Sequence, residues 1–289
     1  MREMYKNILQ DDKFEKGFKL KGLNSLVDGH VPKKIVCGNG SVPPWFLCQW
    51  NSRYDMAVDG VEEKTKNGYR FYDESKEVQV ENGAITLSLD AGKEYDAPRK
   101  ECEPWPHLLV EQVVEPCVKL GDIDSLRVTG SFTLTEFCDY MNGKAEEYHT
   151  TQFVWVTVIK NVNEKSADFG RFIWVVMSVL DSRYEIVPLY CAQDKALPNG
   201  EYIYSFNSGD YMKGKLVLNE TQTICFDLYP RLREILDCAK KVGNLIHTDF
   251  SELAVTGMNF GFEITGTYKA TIKTENAGIF VHYVKEDQK

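Results

Sequence analysis

The chain has 289 residues, 43% of them hydrophobic and 27% charged, the composition of a globular protein able to bury a substantial core. Its 34 basic against 43 acidic residues leave a formal charge of −9, with no Lys/Arg block that could follow a phosphate backbone, which argues against nucleic acid as a partner. No window reaches the roughly 18 uninterrupted apolar residues of a membrane-spanning helix.

The N-terminal stretch MREMYKNILQDDKFEKGFKLKG carries charges every few residues and lacks the apolar region of a secretion signal. It predicts a cytoplasmic chain in which residues 1–16 are an N-terminal extension and 17–285 a single domain. The eight cysteines are scattered, with no CxxC pair and no Cys/His cluster at zinc spacing. They read as reduced thiols filling small core positions, and neither a metal nor a cofactor is expected.

Aromatic and β-branched runs between turn signals predict strands at 17–22, 33–37, 45–50, 69–72, 76–80, 84–89, 107–114, 125–136, 150–160, 170–180, 184–191, 201–206, 214–218, 222–227, 253–263, 267–274 and 278–284. Glu81-Asn82-Gly83, Asn199-Gly200, Ser208-Gly209-Asp210 and Glu275-Asn276-Ala277-Gly278 supply turns between them. Such spacing suits an all-β fold, a two-sheet antiparallel β-sandwich. One segment departs from it. In YPRLREILDCAKKVG the apolar residues Leu232, Ile235, Leu236, Ala239 and Val242 share one helical face. Pro230 at the start, Lys240 and Lys241 in the last turn and Gly243 beyond it complete an amphipathic helix near 230–242. In the strands FVWVTVI and FIWVVMSVL both faces are apolar, so one set fills the inter-sheet core and the other meets a second apolar environment. Trp155 and Trp174 are core residues in this reading, or one of them floors a concave face.

Three segments carry polar residues that could act. In Gln49-Trp50-Asn51-Ser52-Arg53-Tyr54-Asp55, planar donors and acceptors accompany an aromatic ring, the groups that hold sugar hydroxyls and stack on a sugar's C–H face. The alternative is a polar strand end with an Arg53–Asp55 surface ion pair. In EPWPHLLVEQVV, strand geometry puts His107 and Glu111 on one face about 13 Å apart, too far to share a metal, with Gln112 on the other. The flanking prolines oppose the helix that an HExxH zinc site needs. YIYSFNSGDYMKG adds Tyr202, Tyr204, Asn207 and Asp210 around a turn that also reads as an ordinary loop. Elbow, P-loop and dinucleotide motifs are absent. Glu111, Glu263 and Asp55 are the carboxylates to inspect for a glycosidase pair, while Arg53, Tyr54 and His107 match in kind what a lyase acting on uronates requires.

QWNSRYD, PRKECEPWPHLLVEQ and LAVTGMNFGFEITGTY resemble a group of uncharacterised bacterial jelly-roll proteins with concanavalin-like or galactose-binding-like sandwiches. The resemblance spans roughly residues 45–265 and implies a jelly roll; it does not specify an activity. Taken together, the sequence predicts a carbohydrate-binding protein with a concave polar-aromatic face and possible homo-oligomerisation. Trp50, Arg53, Tyr54, His107, Glu111 and Gln112 are the expected ligand contacts, in one cleft. The alternative is a polysaccharide-active enzyme, lyase or glycoside hydrolase, on the same face, with His107, Tyr54 and Glu111 as catalytic candidates. A third class is an assembly protein that pairs through exposed sheet edges.

Overall fold

In the computed structural model, residues 5–24, 31–194, 197 and 199–284 are described. Two sheets face each other. Sheet A runs β15 (Thr221–Asp227), β10 (Ile123–Asp139), β17 (Tyr268–Tyr283), β8 (Ala84–Asp90), β7 (Lys76–Glu81), β6 (Gly68–Tyr72) and β5 (Val61–Thr65), with β1 (Lys6–Asn7) also paired to β17. Sheet B runs β13 (Tyr190–Asp194), β14 (Glu201–Ser205), β12 (Phe172–Asp181), β11 (Thr151–Asn161), β16 (Leu253–Ile264), β9 (His107–Lys119), β4 (Trp45–Cys48), β2 (Phe18–Leu20) and β3 (Lys34–Val36). Neighbours are antiparallel except β12 with β14 and β2 with β4. From β9 onward the chain passes repeatedly between the sheets, B to A to B through β9, β10 and β11, and again through β14, β15, β16 and β17. This is the jelly-roll sandwich expected from the sequence.

Alternation of side chains builds the core. Phe153 and Trp155 of β11 and Phe260 and Phe262 of β16 are buried between the sheets, with Trp155 stacked on Phe260 at 5.2 Å and 4° between planes. Val154 and Val156 take the opposite face of sheet B, as the doubly apolar pattern implies. On that face Phe46, Cys48 and Leu109 form a second apolar cluster, flanked by Trp50 and Val113. Among the described residues the one helix longer than a single turn is Leu232–Lys241, which buries Leu232, Ile235, Leu236 and Ala239. Gly243, at φ 84°, closes it, and the Asn244 N–H returns to the Ala239 carbonyl.

Several expectations are corrected. Glu275–Gly278 is no turn: β17 continues through it, and Asn276 at φ 55° forms a bulge between the pairs Ser131/Glu275 and Thr129/Gly278. Residues 214–218 form no strand, and only Leu218 bridges to Leu134. The strand expected at 184–191 begins at Tyr190. β5 escaped the sequence reading because VEEKT lies at the edge of sheet A, where solvent replaces the alternation on which strand recognition depends. Within the segment set apart as an extension, Lys6 and Asn7 pair with Val281 and Phe280, and Phe14 is 1% exposed in the core. The cysteines are free, yet only Cys48 is buried, while Cys102, Cys117, Cys191 and Cys225 are exposed. A core role for most of them is overturned, since the alternation places them on outward faces or loops.

Candidate ligand-binding site

The candidate site lies on the outer face of sheet B, where β4, β9 and β16 adjoin. His107, Leu109, Glu111 and Val113 alternate outward along β9, opposite the inward Leu108, Val110, Gln112 and Val114. The register pairs Glu263 with His107 and Asn259 with Glu111, so these four share the face. Trp50 follows β4 in the same phase, and its carbonyl accepts the His107 N–H at 2.9 Å.

Three aromatic groups converge here. The Trp50 indole meets the His107 imidazole edge to face at 5.8 Å between centroids, and Trp105 stacks on His107 at 5.7 Å. Glu263 accepts a hydrogen bond from Trp105 Nε1 at 3.2 Å and lies 3.6 Å from His107 Nε2. Trp50 Nε1 and His107 Nδ1 are both shielded from solvent and have no hydrogen-bond partner in the protein. Such atoms lose hydration without recompense unless a bound group supplies it. Beside them the Lys21 ammonium, 3% exposed, pairs with Glu111 at 3.0 Å and stands 5.4 Å from the Trp50 ring. Burial chiefly, and then the Glu111 charge, push the Cys48 thiol well above its ordinary pKa.

Trp50, His107 and Glu111 are therefore brought onto one face, but the other expected contacts go elsewhere. Gln112 points into the sandwich, accepting from the Gln10 N–H at 2.7 Å and donating to the Gln10 carbonyl at 2.9 Å. The buried polar residue of that strand is thus a clamp on the N-terminal segment. The Arg53 guanidinium is bound by Asp96 at 2.9 Å, and Asp96 is exposed. The Tyr54 ring lies 6.0 Å from the buried Lys76 ammonium, which also donates to the Tyr54 carbonyl at 2.9 Å. Asp55 forms no pair with Arg53: it caps the short helix Met56–Asp59 and accepts from Gln49 Nε2. Tyr202 and Tyr204 are core residues, and Asn207 caps the turn Ser208–Asp210. Trp155 is in the core, whereas Trp174 lies half-buried on the outer face of β12, edge to face with Phe172 at 4.7 Å.

Two members of the cluster were missed. Lys21 could have been found, because FKLK alternates and Phe18 and Leu20 are the inward pair. Trp105 could not, since it precedes β9 in a proline-bounded loop whose path no local pattern fixes. Among the described residues no three His, Cys, Asp or Glu side chains converge as a metal-binding group.

No family model matches the chain, and no curated protein matches its sequence. Among solved structures it is similar to a family 12 xyloglucanase from Bacillus licheniformis, at 10% identity and TM-score 0.43, covering 77% of this chain and 97% of that one. Endoglucanase cel12A from Rhodothermus marinus gives 11% identity and TM-score 0.40 over 74% of this chain and 92% of that one. The xyloglucanase domain of NopAA, a type three effector from Sinorhizobium fredii, in complex with cellobiose, gives 12% and 0.40 over 77% and 96%. At these identities and TM-scores no residue role or activity passes to this chain.

Proposed function

We propose that the outer face of sheet B binds carbohydrate around Trp50, Trp105, His107 and Glu263. The observation that carries this is the pair of shielded, partnerless ring nitrogens, Trp50 Nε1 and His107 Nδ1, set among aromatic planes and beside a carboxylate. A sugar answers both needs: its hydroxyls donate to and accept from such atoms, and its C–H face packs on the rings. A glycan array, followed by calorimetry on Trp50→Ala and His107→Ala with melting temperatures measured in parallel, tests it. A glycan bound by the parent and lost from folded variants supports the reading; equal binding by both variants rejects it.

Glycoside hydrolysis is the second reading, favoured by the presence of Glu111 and Glu263 on one face of adjacent strands. Four register positions separate them, about 13 Å along the strands. Their carboxylates also have different partners, Glu111 the Lys21 ammonium and Glu263 the Trp105 indole N–H. Retaining glycosidases hold the pair about 5 Å apart and inverting ones about 6.5–9.5 Å. The geometry therefore supports binding over two-carboxylate hydrolysis. A reducing-end assay on the parent and on Glu263→Gln decides between them.

A further inference from the structure

At the end of the sandwich adjoining this face, a cavity of about 780 Å³ opens to solvent. Its walls combine the rings of Tyr148, Tyr184 and Tyr268 with the carboxylates of Asp139, Glu146 and Glu147. Asp139 ends β10, Tyr268 begins β17, and Tyr148 and Tyr184 lie just before β11 and just after β12. The cavity is linked to the proposed site by one residue: the buried Arg99 guanidinium lies 5.0 Å from the Trp105 ring and 5.8 Å from the Tyr148 ring. Trp105 in turn stacks on His107, so rings and cation form a continuous path from the sheet face to the cavity.

Among the residues that line the cavity, acidic groups outnumber basic ones. Arg183 lines the cavity but is held by Asp181 through two hydrogen bonds, 2.9 Å from Nε and 2.6 Å from Nη2. Burial pushes the Asp181 carboxyl up, but hydrogen bonds from Arg183, Thr150 and Gln152 outweigh it and bring it below the ordinary value, so it stays ionised and neutralises the guanidinium. Both ring nitrogens of His149 are engaged, Nδ1 by the Glu146 N–H and Nε2 by the Arg99 carbonyl. Arg53, the remaining candidate clamp for an acidic sugar, is bound by Asp96.

We propose that this cavity is a further sugar subsite that takes an amine-bearing unit, a hexosamine whose ammonium faces Asp139, Glu146 and Glu147 while its ring packs on the tyrosines, and that it rejects uronates. The inference rests on the carbohydrate reading of the sheet face. Ammonium groups are attracted both by carboxylates and by aromatic faces, and a uronate would meet like charge where Arg183, the arginine that lines the cavity, is already held by Asp181.

The test is calorimetry at mildly acid pH with three tetrasaccharides: a glucosamine oligomer, a neutral glucose oligomer and a galacturonate oligomer, with a lysine tetrapeptide as control. The glucosamine oligomer is expected to bind about tenfold more tightly than the neutral one, the sum of three solvent-exposed charge pairs, and the galacturonate oligomer more weakly than either. The triple variant Asp139→Asn/Glu146→Gln/Glu147→Gln is expected to erase that preference while still binding the neutral oligomer, and Trp50→Ala to weaken all three. Equal or tighter binding of galacturonate, or a preference unchanged in the triple variant, overturns the subsite and leaves the sheet-face reading standing. Binding of the lysine peptide as tight as the glucosamine oligomer, unaffected by Trp50→Ala, overturns it in favour of a cation site. If none of the three glycans binds, the subsite and the carbohydrate reading fall together.

Discussion

The Trp50 indole stands edge to face against the His107 imidazole at 5.8 Å, while the Trp50 carbonyl accepts the His107 backbone N–H. Backbone pairing thus fixes two side chains that are 57 positions apart in the chain. Each presents a ring nitrogen that is shielded and unpaired, although a residue so placed by a sheet ladder could have been apolar at no loss to the fold. Within the protein the desolvation of neither atom is compensated.

Trp50→Phe removes the unpaired donor but keeps an aromatic plane. Stability is expected to change by less than about 1 kcal/mol, because no protein hydrogen bond is broken and the lost area is offset by removing a desolvated N–H. Ligand affinity should fall by about 1 kcal/mol if the indole N–H binds a hydroxyl. Urea denaturation and calorimetry on one preparation check both. A marked loss of stability with unchanged affinity would make Trp50 a packing residue.

The sandwich, the helix and the outward phase of His107 and Glu111 were legible because each is written in local periodicity. Leu232, Ile235, Leu236 and Ala239 repeat at helical spacing, and β9 alternates. What joins these pieces was not legible. Gln112 looked like a site residue because a polar side chain in an apolar strand needs a partner, but that partner, the backbone of Gln10, is 102 residues away. Arg53 and Tyr54 looked like ligand groups because their types suit sugars; Asp96 and Lys76, which engage them, lie on other elements. The Asn276 bulge read as a turn because a left-handed Asn next to Gly serves both, and only the neighbouring strand decides.

The Lys21–Glu111 pair, 3% and 14% exposed, gives a stability prediction. Lys21→Met leaves the Glu111 carboxylate beside the apolar Phe46–Leu109 cluster and is expected to destabilise the protein by about 3 kcal/mol. The double variant Lys21→Met/Glu111→Leu should recover most of that, since two apolar side chains need no mutual compensation. A double-mutant cycle in urea measures it, and a neutral Lys21→Met would show that the pair is well solvated.

Acid stability should depend on Asp181. Its carboxyl lies below the ordinary value of 3.8 in the folded protein, despite burial, because Arg183, Thr150 and Gln152 hydrogen-bond its charged form. A depressed folded pKa stabilises the protein above the unfolded value, and that contribution is lost as pH falls through the folded one. Urea midpoints measured from about pH 5 down to about pH 2 should therefore drop. Asp181→Asn should start lower and fall less steeply; a parallel curve would rule out this carboxyl as the source.

Thiol labelling should separate the cysteines by exposure and ionisation. Cys102, Cys117, Cys191 and Cys225 are exposed and should react first. Cys37 is only partly buried, yet burial and the Glu62 charge push its thiol up to about 12, from an ordinary 9.0. Near neutral pH its thiolate fraction is lower by about a thousandfold, so it should label far more slowly than its exposure suggests. Cys48, fully enclosed, should label only on unfolding. Mass spectrometry of timed alkylation orders the sites, and early labelling of Cys37 would contradict its placement against Glu62.

The segment that carries Trp50 is moored from outside the sheet, and the mooring can be cut. Glu94 accepts hydrogen bonds from Ser52 Oγ at 2.7 Å and from the Arg53 N–H, while the buried Lys76 ammonium lies 2.7 Å from Asp73, 3.5 Å from Glu94 and 2.9 Å from the Tyr54 carbonyl. Ser52, Arg53 and Tyr54, two to four positions after Trp50, are thus tied to one buried charge network. Glu94→Gln keeps the shape but weakens charge-assisted bonds to three donors, Ser52 Oγ, Ser75 Oγ and the Arg53 N–H, and a loss of about 1–3 kcal/mol in stability is expected. Hydrogen exchange should speed up at the Arg53 amide, and ligand affinity should fall although Glu94 has no place on the ligand face, because a mobile Trp50 must be ordered on binding. Glu94→Asp, which retains the charge, should restore part of both. If exchange at Arg53 rises while affinity holds, the network supports the fold without positioning Trp50; if neither changes, Glu94 is not the anchor.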